Sequence, residues 1–170
     1  PRPLEAGGAV SATLVTGDLK LGAVGTVTYV DKDHMVAFGH PFLDKGSSSY
    51  FMHNSYIFTV VPSRNIPFKL GSVGAEIGMV NEDRGSGISG LSGKVPESVR
   101  LHSSVLDEDT GRTQSLNVRM VQNERMLPML SVTSVYNNMS NTLDRNGEGT
   151  VSLSYTLFPE DLKKRPFRSE

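Results

Sequence analysis

LGAVGTVTYVDKDHMVAFGHPFL, residues 21–43, is the stretch on which the reading of the fold turns. Thr26-Val27-Thr28-Tyr29-Val30 alternates as a half-buried strand does: Val27 and Tyr29 can share one face, or Thr26, Thr28 and Val30 the other. Asp31-Lys32-Asp33 supplies an acidic turn, and Met35-Val36-Ala37-Phe38 reads as a second short strand ending at Gly39-His40-Pro41. Glycine lets the backbone bend there and proline fixes the exit direction, so His40 stands on a stiff corner. A titratable ring held this way can serve as a general base. The same three residues also suit an ordinary turn with a polar residue in it.

Outward from this core the chain continues as strands. Ala9 to Thr16 alternates, Val10, Ala12 and Leu14 against Ser11, Thr13 and Val15, and Gly17-Asp18 turns it back through Leu19-Lys20-Leu21. With the Thr26 and Met35 strands this predicts an antiparallel meander. Lys45-Gly46-Ser47-Ser48-Ser49 reads as a surface loop and Tyr56 to Val61 as a strand stopped by Pro62. Pro62 to Gly74, with two prolines and two glycines, reads as a loop anchored by Phe68 and Leu70. Ala75 to Val80 is a short strand, and Gly85 to Gly93 a loop of four glycines and three serines. Val99 to Leu106 and Arg112 to Val121 form a hairpin around Asp107-Glu108-Asp109-Thr110-Gly111.

One helix is expected, Leu127 to Leu143, with Pro128 in its first turn and Asn146-Gly147 as its stop signal. Its core-facing stripe is expected to be Val132, Val135, Tyr136, Met139 and Leu143. Thr150 to Phe158 then closes the domain as a strand with Val151, Leu153, Tyr155 and Leu157 on one side. The expected fold is therefore mainly β, an antiparallel barrel or sandwich with one C-terminal helix. Residues 1–8 read as a linker, 9–158 as the domain and 159–170 as a charged tail.

Composition narrows the function classes. The net charge is −1 with both signs interspersed, so no clustered basic face points to nucleic acid or an anionic membrane. No apolar run approaches the ~20 residues that span a bilayer. The start at Pro1-Arg2-Pro3-Leu4 suggests a fragment or a processed product. Cysteine is absent, which excludes disulfides, a cysteine nucleophile and thiolate metal sites. The histidines, His34, His40, His53 and His102, show no zinc-type spacing, and no phosphate-cradling or dinucleotide motif occurs, so no metal and no cofactor is expected.

Gly22-Ala23-Val24-Gly25-Thr26-Val27-Thr28, followed after a turn by Ala37-Phe38-Gly39-His40-Pro41, resembles the SpoIVB-type serine peptidase family of bacteria. A second stretch, Gly74 to Gly78 and then Asn81 to Gly90, is similar to a later segment of the same family that ends in Gly-Ile-x-Gly. The likeness covers Ala9 to Gly93. It implies a fold related to trypsin-like peptidases, a protein or peptide substrate, an extracytoplasmic or cell-envelope location, and His40 as catalytic base.

The family's nucleophile run, Gly-Met-Ser-Gly-Ser-Pro, does not occur. The nearest runs are Gly87-Ile88-Ser89-Gly90 and Gly90-Leu91-Ser92-Gly93, which make Ser89 and then Ser92 the serine candidates within the chain. The departure implies a serine on other segments of the same protein and an inactive isolated domain. Asp83 is the candidate orienting acid, because one strand end can approach another; Asp44 lies too close to His40 across the proline corner. Asp83 can equally belong to a surface cluster with Glu82 and Arg84. The alternative of another class is a non-catalytic envelope module that binds peptide by strand addition.

Overall fold

The computed structural model of the chain describes residues 4–62, 68–158 and 167–169. Its strands are β1 (Ala9–Gly17), β2 (Leu21–Asp31), β3 (His34–Ala37), β4 (Gly46–Val61), β5 (Phe68–Arg84), β6 (Gly87–Ser92), β7 (Ser98–Asp107) and β8 (Arg112–Val121). Helix α1 (Leu127–Leu143) follows, then the short β9 (Tyr155–Leu157) and β10 (Phe167–Ser169). The domain is mainly β, built on an antiparallel sheet of eight strands in the order β2-β3-β6-β5-β4-β1-β8-β7 with a further β1–β2 pairing. That extra pairing makes the ladder from β1 through β2, β3, β6, β5 and β4 return to β1.

β1 explains why both faces of its alternating pattern are used. Every residue from Val10 to Thr16 is buried, the polar ones included. Ser11 meets this by a 2.6 Å hydrogen bond with the Ser55 hydroxyl. Around β1 the core gathers Val27, Met35, Phe51, Met52, Val80 and Ile88. Ahead of β1, Gly7 N–H donates to Val27 O and Val27 N–H to Gly8 O, both at 2.8 Å, so the residues leading into the domain extend the ladder.

β2 resolves the two choices its sequence left open. Val27 is buried while Tyr29 is exposed, because the register with β3 shifts between them. A bulge of this kind reverses the alternation beyond it.

Four expectations are corrected. Ser47-Ser48-Ser49 lies within β4 rather than in a loop, held opposite the end of β5. From Phe68 onward the expected proline- and glycine-rich loop is the first part of β5, and Leu70 is exposed rather than anchored in the core. The serine- and glycine-rich run is largely strand β6, paired with β3 on one side and β5 on the other. Glycine there is an asset, because bare backbone lets β6 pass close between neighbours.

The fourth correction concerns the C-terminal part. Helix α1 has the expected bounds, but it ends on Asp144, in the left-handed region at φ 46°, whose N–H bonds Ser140 O. It buries Leu130, Ser134, Asn138 and Thr142, and turns Val132 and Tyr136 to solvent. The small hydroxyl side chains let the helix approach β7 and β8 closely. They satisfy themselves within the helix, Ser134 Oγ donating to Leu130 O at 2.8 Å and Thr142 Oγ1 to Asn138 O at 2.7 Å. Asn138 Nδ2 reaches the Ser103 hydroxyl at 3.1 Å. Beyond the helix, Asp144–Phe158 is exposed throughout, and only Tyr155–Leu157 is strand, paired with β10 apart from the main sheet. The ladder closes without it. Most of the charged tail, 159–166, lies outside the described residues.

Candidate functional site

The His40 corner begins where β3 ends. Phe38 and Gly39 both adopt positive φ, at 76° and 74°. That conformation is easy for glycine but strained for a bulky residue, and strain of this sort gathers at functional sites. Phe38 reaches it because its ring lies over β2 at Gly25, where a Cβ would stand 2.2 Å from the Phe38 Cδ1. The Gly25 of the quoted stretch is thus the floor on which the corner rests.

His40 itself is exposed, its ring centroid 5.6 Å from that of Phe38. Its Nδ1 lies 2.8 Å from Pro41 O. A carbonyl oxygen only accepts, so Nδ1 carries the proton, and the neutral ring keeps its lone pair on Nε2. Nε2 has no hydrogen-bond partner among the described residues. A ring in this tautomer can take a proton from a hydroxyl presented to it.

Asp83 holds the corner from behind. It is fully buried at the end of β5, and its carboxylate accepts the Phe42 N–H at 2.8 Å and the Leu43 N–H at 2.7 Å. The aromatic rings continue inward from Phe38 to Phe42, with centroids 6.4 Å apart, and from Phe42 to Tyr50 at 5.8 Å. Burial, and then the nearby Asp83 carboxylate, push the Tyr50 hydroxyl up to about 12. The expected surface cluster also forms, but without Asp83: Arg84 pairs with Glu82 at 2.8 Å.

The sequence candidates thus divide. Asp83 and the loop of His40 come together, yet the aspartate bonds the amides after the histidine, while the His40 Nδ1 is taken by Pro41. Ser89 sits in β6 opposite Val36, and its hydroxyl donates to Asn81 Oδ1 at 2.9 Å. Ser92 is the last residue of β6, its N–H bonded to Asp33 O at 2.7 Å. No hydrogen bond joins either serine to His40 among the described residues. Asp44 is exposed, with φ at 55°.

Sequence reasoning missed Tyr50 and Phe42, the aromatic support of the corner. The signal available was the apolar run Tyr50-Phe51-Met52 directly after the serines. His53 is a buried histidine of another kind: its Nδ1 donates to Gly74 O at 3.1 Å and burial lowers its pKa. Among the described residues no three His, Asp or Glu side chains could together hold a metal ion. Likewise no described helix is long and apolar enough to cross a membrane.

Comparison of the chain with protein-family models, with curated proteins and with solved structures found no match.

Proposed function

We propose that the chain is the histidine-bearing part of a bacterial serine endopeptidase of the SpoIVB type. The observation that carries this reading is the His40 ring, exposed on a strained corner with its Nε2 lone pair unengaged, while buried Asp83 fixes the loop behind it. On this reading the closed circuit of six strands is a barrel related to those of trypsin-like peptidases. A serine from sequence outside the chain comes to Nε2. His40 takes its proton as the oxygen attacks the peptide carbonyl, and returns it to the leaving amine. Asp83 is a positioning residue, acting through the Phe42 and Leu43 amides. An extracytoplasmic or envelope location belongs to the same proposal.

The test is labelling by a fluorophosphonate probe. A longer protein containing this chain should label at a serine beyond it and lose labelling with His40→Ala, and the 170-residue chain should stay unlabelled. Labelling at Ser89 or Ser92 would place the nucleophile inside the chain. No labelling of the longer protein at all would remove the peptidase reading.

A second reading, the strand-addition module, is favoured by β7. It ends the eight-strand order and has β8 as its ladder partner among the described residues. Such an edge can receive an added strand. Peptide-induced protection of β7 amides from hydrogen exchange would support it; unchanged exchange along β7 with binding peptides present would exclude it.

A further inference from the structure

One edge of β1 is divided between two partners. Val10–Thr13 pair with β4 and Val15–Gly17 with β8, while β2 holds the opposite edge as far as Val15. β4 meets β1 between Phe51 and Asn54, so its first residues diverge from β1, and Gly46, Ser47 and Tyr50 pair with β5 around an irregularity at Ser48 and Ser49. The chain leaving β8, Val121 to Met126, forms the facing wall. Between the two walls lies a cleft of about 740 Å³.

The charged side chains that line it are both basic, Lys45 from one wall and Arg125 from the other, while their acidic chain neighbours Asp44 and Glu124 are exposed and do not line it. Neither cation belongs to an ion pair among the described residues. The Ser48 hydroxyl is buried without a hydrogen-bond partner. Asn123 uses its Oδ1 to accept the amides of Arg125 and Met126, which leaves its NH2 group as a donor. Just beyond, α1 begins with no acidic residue in its first turn, and Asn123 O accepts the amides of Met126 and Leu127 at its start.

We infer that this fork between β4 and β8 binds an extended acidic segment of another protein chain. The segment adds along Gly46 to Tyr50 as a strand and directs carboxylates to Lys45 and Arg125. The unpaired side of β4 supplies the main-chain partners that a free anion would not need. One cation on each wall suits carboxylates spaced along a strand better than a single compact dianion. The inference is independent of the role given to His40, which lines no part of this cleft.

The test is an NMR titration of the 170-residue chain with three blocked peptides, Ac-(Thr-Glu)4-NH2, Ac-(Thr-Gln)4-NH2 and Ac-(Pro-Glu)4-NH2. The first should bind saturably and shift the amides of Ser47 to Tyr50 and of Gln122 to Met126. The glutamine peptide lacks the charge and the proline peptide lacks alternate N–H donors, so both should bind more weakly. Lys45→Gln and Arg125→Gln, each on an exposed side chain that leaves the fold intact, should each weaken the acidic peptide by about threefold to fivefold. Equal binding of the glutamine peptide, equal binding of the proline peptide, shifts centred on β7, or no saturable binding would each overturn the inference.

Discussion

Asp83 holds the Leu43 amide at 2.7 Å, tying the end of β5 to the loop that carries His40. Two amides and one buried carboxylate make this contact a charge-assisted clamp. Asp83→Asn should therefore lower stability by about 2 kcal/mol, the scale of hydrogen bonds to a charged group. Urea unfolding measures the loss. Amide exchange at Phe42 and Leu43 should accelerate more than exchange in β7, which separates a loosened corner from general destabilisation.

Tyr50 gives an alkaline signature. Its hydroxyl titrates at 10.0 in an unfolded chain and at about 12 here. The folded state therefore favours the proton, and the contribution is complete below pH 10 and lost as pH rises through 12. The stability difference between the native chain and Tyr50→Phe should be flat below pH 10 and move steadily against the native chain between pH 10 and 12. Thermal melts of both across that range check it. A constant difference would mean that Tyr50 is not desolvated beside a carboxylate.

His53 acts at the opposite end of the scale. Burial lowers its pKa below the ordinary 6.5, so below pH 6.5 the unfolded chain binds a proton that the folded chain resists. Its stabilising effect is complete above pH 6.5 and declines as pH falls toward the lower folded value. NMR titration of the ring protons should give a midpoint under 6.5 for His53. His53→Gln should remove this part of the acid sensitivity.

The orientation of α1 is equally open to test. Leu130→Ala, at a fully buried position, should cost about 2 to 4 kcal/mol. Tyr136→Gln and Val132→Gln, on the outward stripe, should change stability by less than about 0.5 kcal/mol. The reverse ranking in urea unfolding would put the stripe back in the core.

The sequence was most informative where a local signal and the tertiary arrangement agree. The β7–β8 hairpin follows from Asp107 to Gly111, and the bounds of α1 follow from Pro128 and the periodicity after it. The inward face of α1 could not be read that way. Ser134 and Thr142 satisfy their own hydroxyls inside the helix, so burying them costs little and hydrophobicity loses its power to assign the face. Ser47 to Ser49 looks like loop by composition, and only the ladder to β5 makes it strand. At the corner, Gly39-His40-Pro41 announced a bend and a titratable ring. The partnership of Asp83 with Phe42 spans 41 residues and no local spacing encodes it.

Arg145 bonds both Asp107 and Asp109, and its guanidinium, followed by the Thr110 hydroxyl, holds the Asp107 carboxyl well below the usual carboxylate range. The first residue beyond the helix cap is thereby riveted to the β7–β8 turn. The chain leaving the helix is fastened at a second place, on the hairpin turn as well as at the end of α1.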